Sequence, residues 1–165
     1  HRDDVTFESC GAGRPGDILQ YINQYQPTIV HVSGHGSESD ELVLMDNQKN
    51  TKLVSLSSII QAMSVANEDL RLVFFNTCFS NNQALNVVKY IDAAIGMQTS
   101  ISDDAATIFS ASFYSAIGFG LSVEKSFNQA KASLMLEGIK EEDTPQLFIK
   151  DGLDPKEIFI VSCNS

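Results

Sequence analysis

Residues 28–36 read TIVHVSGHG, an apolar, β-branched run interrupted by His31 and closed by a small-residue turn that carries His35. A run so continuously apolar is expected to be a strand buried on both faces of a parallel sheet. Its counterpart is LVFFNTCFSN at 72–81, which places Cys78 43 residues after His35. In open α/β sheets ligands bind beyond the carboxyl ends of the strands. Two such strands side by side would bring His35 and Cys78 to one sheet edge.

Outward from that pair the chain alternates. Asp17–Gln26 puts Ile18, Leu19, Ile22 and Tyr25 near helical spacing, with Asp17 in its first turn and Pro27 as its stop. Ahead of it, Val5–Glu8 reads as a short strand and Cys10–Gly16 as a Gly/Pro loop. The GxG in that loop lacks the continuation a phosphate-binding turn needs. After the polar loop Gly34–Asp40, Leu42–Met45 and Lys52–Ser55 flank Asp46–Thr51 as a hairpin on the sheet's rim. A helix over Leu56–Ala66 follows, with Ser55 or Ser57 as its cap, then the strand Leu70–Asn76.

A helix over Asn82–Tyr90 and a strand over Ala93–Met97 come next. Ser102-Asp103-Asp104 stands before a helix over Ala105–Ile117, with Phe109, Phe113 and Ile117 as a bulky stripe. Ser122 caps a second helix carrying Val123, Phe127, Ala130, Leu134 and Leu136, which ends at Gly138. Leu147–Ile149 and Ile158–Val161 read as two last strands. Strands alternating with helices specify an α/β domain with a mainly parallel sheet.

The bulk properties exclude several classes. With 165 residues, 43% of them hydrophobic, the chain can bury the core of one domain. Eleven Lys and Arg against 21 Asp and Glu give a net charge of −10, which argues against nucleic acid or an anionic membrane as direct partner. No apolar run reaches the length of a membrane span. Cys10, Cys78 and Cys163 are widely spaced and odd in number, so free thiols in a reducing, cytoplasmic compartment are expected. The chain opens on His1 without an initiator methionine, and a processed form or an excerpt of something longer is expected.

His35 and Cys78 are the residues most suited to chemistry. A thiol with a pKa of about 8.5 is mostly protonated at neutral pH, and an adjacent imidazole raises the thiolate fraction. The same imidazole can then protonate a leaving amine. Gly36 would let its N–H approach a substrate carbonyl, and with the N–H of Cys78 it would form an oxyanion hole. Against this stands the ordinary reading, in which a buried cysteine is inert and a histidine at a strand end is structural. His31 is expected to be packed and hydrogen-bonded rather than a metal ligand, because no Cys/His/carboxylate set completes a zinc site. No metal or organic cofactor is implied.

The phrases IVHVSGHG and LVFFNTCFS resemble the caspase-like CHAT peptidases of the clan that includes caspases, separases and gingipains. The resemblance continues through AIGM at 94–97, ISDDAA at 101–106, FSASFY at 109–114 and GLSVEKSF at 120–127, and covers about Pro27 to Leu136. It implies a three-layer α/β/α sandwich with a small peripheral hairpin. In it His35 is the general base and Cys78 the nucleophile of a cysteine endopeptidase working as a dyad. It also implies one more strand and helix at the start than residues before Val5 supply. Asn76, two positions before the cysteine, falls where the clan lines the pocket for the residue before the scissile bond. Asp103 and Asp104 follow the next strand and could reach that pocket, unless one of them is a helix N-cap. Between Val30 and Tyr90 the basic residues Lys49, Lys52, Arg71 and Lys89 fall outside these motifs, so cleavage after aspartate is not expected, and a basic or neutral preference suits the acidic rim of Glu38, Asp40, Glu41 and Asp46 better.

Such proteins act on protein substrates. They are typically bacterial, are fused to or neighbour a sensing or regulatory domain, and serve in antiphage defence and cell death. The alternatives are a catalytically inactive caspase-like binding module and a hydrolase or acyltransferase using the same dyad on small thioesters.

Overall fold

The structure, a computed structural model, describes residues 15–34, 41–45, 48 and 50–161. The strand expected at Val5–Glu8, most of the loop after it, Cys10 and Cys163 lie outside those residues. Helix α1 (Pro15–Tyr25) leads into strand β1 (Ile29–Ser33). Strands β2 (Glu41–Met45) and β3 (Thr51–Ser55) precede α2 (Leu56–Ala66), β4 (Leu72–Asn76), α3 (Asn81–Val87) and β5 (Ala93–Met97). Helices α4 (Asp103–Gly118) and α5 (Val123–Leu136), strand β6 (Pro145–Ile149) and a 3-10 turn at Pro155–Glu157 complete the order.

The main sheet runs β1-β4-β5-β6, parallel across its first three strands and antiparallel at β6. β2 and β3 form a separate antiparallel pair, the small hairpin expected from the sequence.

Residues 72–75 show no polar alternation because β4 has helices on both sides. Val73 and Phe75 face Ile22 of α1, Ile59 and Met63 of α2, and Val87 of α3. Leu72 and Phe74 face Phe109 and Phe113 of α4 and Leu134 of α5. All four strand residues are fully buried, and each contributes roughly 1.5–3 kcal/mol by leaving water. The result is the expected three-layer α/β/α sandwich. On the second face Phe74 meets Phe109 and Phe113 edge-on at 5.9 and 5.8 Å between ring centres, a favoured aromatic geometry.

Several expectations are corrected. β1 is half-buried rather than covered on both faces, because among the described residues it pairs with β4 alone. Residues 158–161 form no strand. The Ile158 carbonyl accepts the Val123 N–H at 2.8 Å, and the Phe159 carbonyl accepts from the Arg71 guanidinium at 2.6 Å, which takes the groups a ladder would need. Neither Asp103 nor Asp104 is the N-cap of α4. Ser102 is, its hydroxyl accepting from the Ala105 N–H at 3.2 Å, and the two carboxylates sit in the first turn where the helix dipole favours them. Helix α1 starts two residues early, at Pro15, a residue preorganised for a first turn. Helix α3 stops at Val87, short of Tyr90, and continues as a turn closed by the Tyr90 N–H on the Val87 carbonyl.

The end of α5 is as the sequence indicates. Gly138 takes φ +70°, its N–H reaches the Met135 carbonyl, and that of Ile139 reaches Leu134. This is the double closure that a glycine just past a helix permits.

Candidate active site

Cys78 lies two residues beyond β4, in a tight turn that the sheet itself fastens. Phe79 is held at φ +58°, a left-handed conformation that costs an L-residue roughly 1–2 kcal/mol. Its N–H donates to the Thr99 carbonyl at 3.3 Å, and the Ser80 N–H donates to Met97 at 2.8 Å. The buried Ser80 hydroxyl donates to the Thr77 carbonyl at 2.7 Å and accepts the Met97 N–H at 2.9 Å. The turn carrying the thiol is thereby tied to the carboxyl end of β5. Gly96 makes this approach possible, since a Cβ there would stand 2.8 Å from the Ser80 carbonyl oxygen and 2.9 Å from the Ala84 Cβ. Ser80 and Gly96 are not prominent in the sequence; the pairing of β4 with β5 reveals them.

Cys78 is a half-buried free thiol on a cleft of about 340 Å³ at the carboxyl ends of the parallel strands. Ser33 and Gly34 form the β1 side, and Asn76 with Cys78 the β4 side. Ile101, Asp103 and Ala106 close it from the loop after β5 and the first turn of α4. The structure thus brings Asn76 and Asp103 to the thiol. Asp104, in the same turn, is not among the lining residues.

His35 and Gly36 lie outside the described residues, as do Glu38, Asp40 and Asp46. The register nevertheless pairs Ser33 with Asn76, and His35 and Cys78 each follow that pair by two positions.

The wall bearing Ile101 and Asp103 is held from a distance. Glu141, in the loop between α5 and β6, accepts the Ser102 N–H at 2.8 Å and the Ser102 hydroxyl at 2.6 Å. The Gln98 N–H donates to the Thr144 carbonyl in the same loop at 2.8 Å. Hydrogen bonds to a carboxylate are about twice as strong as neutral ones, so this loop positions that side of the cleft.

His31 is hydrogen-bonded as expected and packs on one side of its ring, the other being open to solvent. Its ring lies 4.7 Å from that of Phe74, and Nδ1 is 2.7 Å from the Tyr114 hydroxyl. Burial lowers the His31 pKa and pushes the Tyr114 phenol well up, which favours the neutral form of each. Among the described residues no group of three His, Cys, Asp or Glu is placed to hold a metal ion. Among the same residues no helix is long and apolar enough to cross a membrane.

A mainly parallel sheet between helical layers, with a thiol past the carboxyl end of a central strand, defines a caspase-like α/β domain. The CHAT domain family matches residues 3–147, and the chain belongs to that family. It is also similar to a protein named "Probable protease" from Gillisia limnaea, 27% identical over 118 residues. That alignment covers 70% of this chain and 21% of the relative, so it spans about a fifth of the relative's length.

Proposed function

We propose that this chain is a cysteine endopeptidase module whose dyad is His35 and Cys78. The observation that carries the reading is the position of Cys78. It is a free thiol on a strained, fastened turn, opening on a cleft beside the strand that runs toward His35. The Cys78 thiolate attacks the peptide carbonyl, and the N–H groups of Cys78 and Gly36 hold the oxyanion. The imidazolium of His35 protonates the departing amine as the thioester forms. His35 then takes a proton from water, whose oxygen displaces the sulfur and releases the acid. Family membership and the relative's name support protein as the substrate.

A thiol-directed peptide probe tests the dyad. In the wild type Cys78 is labelled well ahead of Cys10 and Cys163, and His35→Ala loses that advantage. Equal labelling of the three thiols would instead mark an inactive binding module. A substrate screen that turns over small thioesters and no peptide would identify a thioester hydrolase.

Within a larger cytoplasmic protein, or beside a neighbouring chain, a sensing domain would hold this module inactive until triggered, as an effector of bacterial defence. Protection against phage plating, lost in Cys78→Ala, is the expected outcome; protection kept by that variant removes the peptidase from the defence.

A further inference from the structure

Two elements face each other across the cleft, the end of β1 with Ser33 and Gly34 and the first turn of α4 with Asp103 and Ala106. What sets their spacing lies behind the cleft. Ile29 packs into the core on the α4 side of the sheet, and Val30 and Val32 on the other. By strand alternation His31 and Ser33 lie on the α4 side with Ile29. On α4 the matching stripe is Ala106, Ser110 and Tyr114, each four residues from the next and so on one face of the helix. His31 stands about 7 Å along the strand from Ser33, and Tyr114 about 12 Å along the helix from Ala106. There Nδ1 of His31 and the Tyr114 hydroxyl meet at 2.7 Å.

That bond has little help. Among the described residues β1 has one strand neighbour, β4, and no other side-chain hydrogen bond joins it to α4. Ser33, Ala106 and Ser110 bring little apolar area to the contact, and the Ser110 hydroxyl oxygen, sealed from solvent, has no partner. Tyr114, by contrast, is fixed in the aromatic body, its ring centre 5.8 Å from that of Phe74 and 5.4 Å from that of Phe113.

Resting on the peptidase reading, we propose that His31 and Tyr114 are a positioning pair. Their hydrogen bond fixes the spacing between the β1 and α4 walls, and so how tightly the cleft holds an extended peptide. Neither residue touches substrate. Without the bond the walls part, while the thiol stays where the turn's hydrogen bonds to β5 hold it. A bound peptide draws the walls back together, so the cost falls on binding and the step at Cys78 in the bound state is kept.

The test uses the full chain and two peptide acyloxymethyl ketones, one ending in arginine and one in leucine. Labelling at Cys78, read by mass spectrometry across probe concentration, separates the half-saturating concentration from the maximal rate. Tyr114→Phe keeps the ring and removes the oxygen. It is expected to raise the half-saturating concentration about two- to tenfold, the range one net hydrogen bond spans, and to leave the maximal rate within about twofold. His31→Leu does the same, and the double variant is no worse than either, as a directly bonded pair requires. His31→Gln, whose amide can still bond the phenol, keeps most of the wild-type value. Ser133→Ala is the control. It removes a hydrogen bond of the same 2.7 Å length, to Ser112, from the α5 side of the same helix. It should lower the melting temperature and leave both labelling constants unchanged.

An unchanged half-saturating concentration in Tyr114→Phe overturns the proposal. So does a loss confined to the maximal rate, which would put the pair behind the reacting groups rather than the walls, and so does additive loss in the double variant. A rise in Ser133→Ala equal to that in Tyr114→Phe assigns the effect to stability at large and overturns it as well. Each of these outcomes leaves the peptidase reading standing. Failure of both probes to label Cys78 ahead of Cys10 and Cys163 removes that reading and this one with it.

Discussion

His31 and Ser80 show how single side chains hold the strands that flank the cleft, and neither lines it. His31 lies with one side against Phe74 and Tyr114 and the other open to solvent, and its partial burial puts its pKa below the ordinary value of 6.5. The unfolded chain therefore gains a proton near pH 6.5, and the folded one gains it only at a lower pH. Stability present above that pH falls as pH drops through it, and levels off below the folded-state pKa. Melting temperature followed from pH 7.5 to 5 is expected to fall less steeply in His31→Gln than in wild type. Ser80 supplies a buried hydroxyl that both donates and accepts. Ser80→Ala leaves the Met97 N–H and Thr77 carbonyl short of a partner, a loss of about 1–3 kcal/mol. Denaturant unfolding measures that loss, and Cys78 labelling by a peptide probe should slow with it. The sequence makes Cys78 legible because it ends an apolar run. Ser80, Gly96 and Glu141 are not legible, because their partners are seventeen, sixteen and thirty-nine residues away and known only once the strands pair.

At the level of elements, what matters is how closely α3 is drawn onto β5. A methyl group at position 96 would collide with backbone, the Ser80 carbonyl, which cannot swing aside as a flexible side chain can. Gly96→Ala is expected to destabilise by roughly 1–3 kcal/mol, seen as a lower melting temperature. It should also blunt Cys78 labelling beyond what the lost stability explains, since the shift falls on the thiol's own turn. Strands β1, β4 and β5 and helix α2 are readable in the sequence because apolar runs mark them locally, and α4 and α5 because Ser102 and Ser122 also cap them. The tail at 158–161 is misread for the opposite reason. Its β-branched, aromatic composition suits a strand, yet two distant groups, the Val123 N–H and the Arg71 guanidinium, claim its carbonyls. Propensity loses there to tertiary demand.

For the whole molecule, stability and site sit in different parts of the same sheet. The aromatic body around Phe74, Phe109 and Phe113 is sealed, and Phe113→Ala should cost about 3–5 kcal/mol in chemical denaturation. The cleft instead draws its walls from three separate stretches of chain, at 33–34, 76–78 and 101–106, with Glu141 bracing the third through Ser102, so it exists only when the sheet and α4 are in place. Its first wall is the weakest. Among the described residues β1 has β4 as its sole neighbour, and alternate residues of it face solvent. Amide hydrogen exchange should therefore be faster along β1 than along β4 or β5, and equal protection of the three strands would contradict this picture. A strip fastened along one seam can peel away while the body beneath stays shut. Loosening of that cleft wall and melting of the aromatic body are then separable events, and exchange along β1 would report the first without the second.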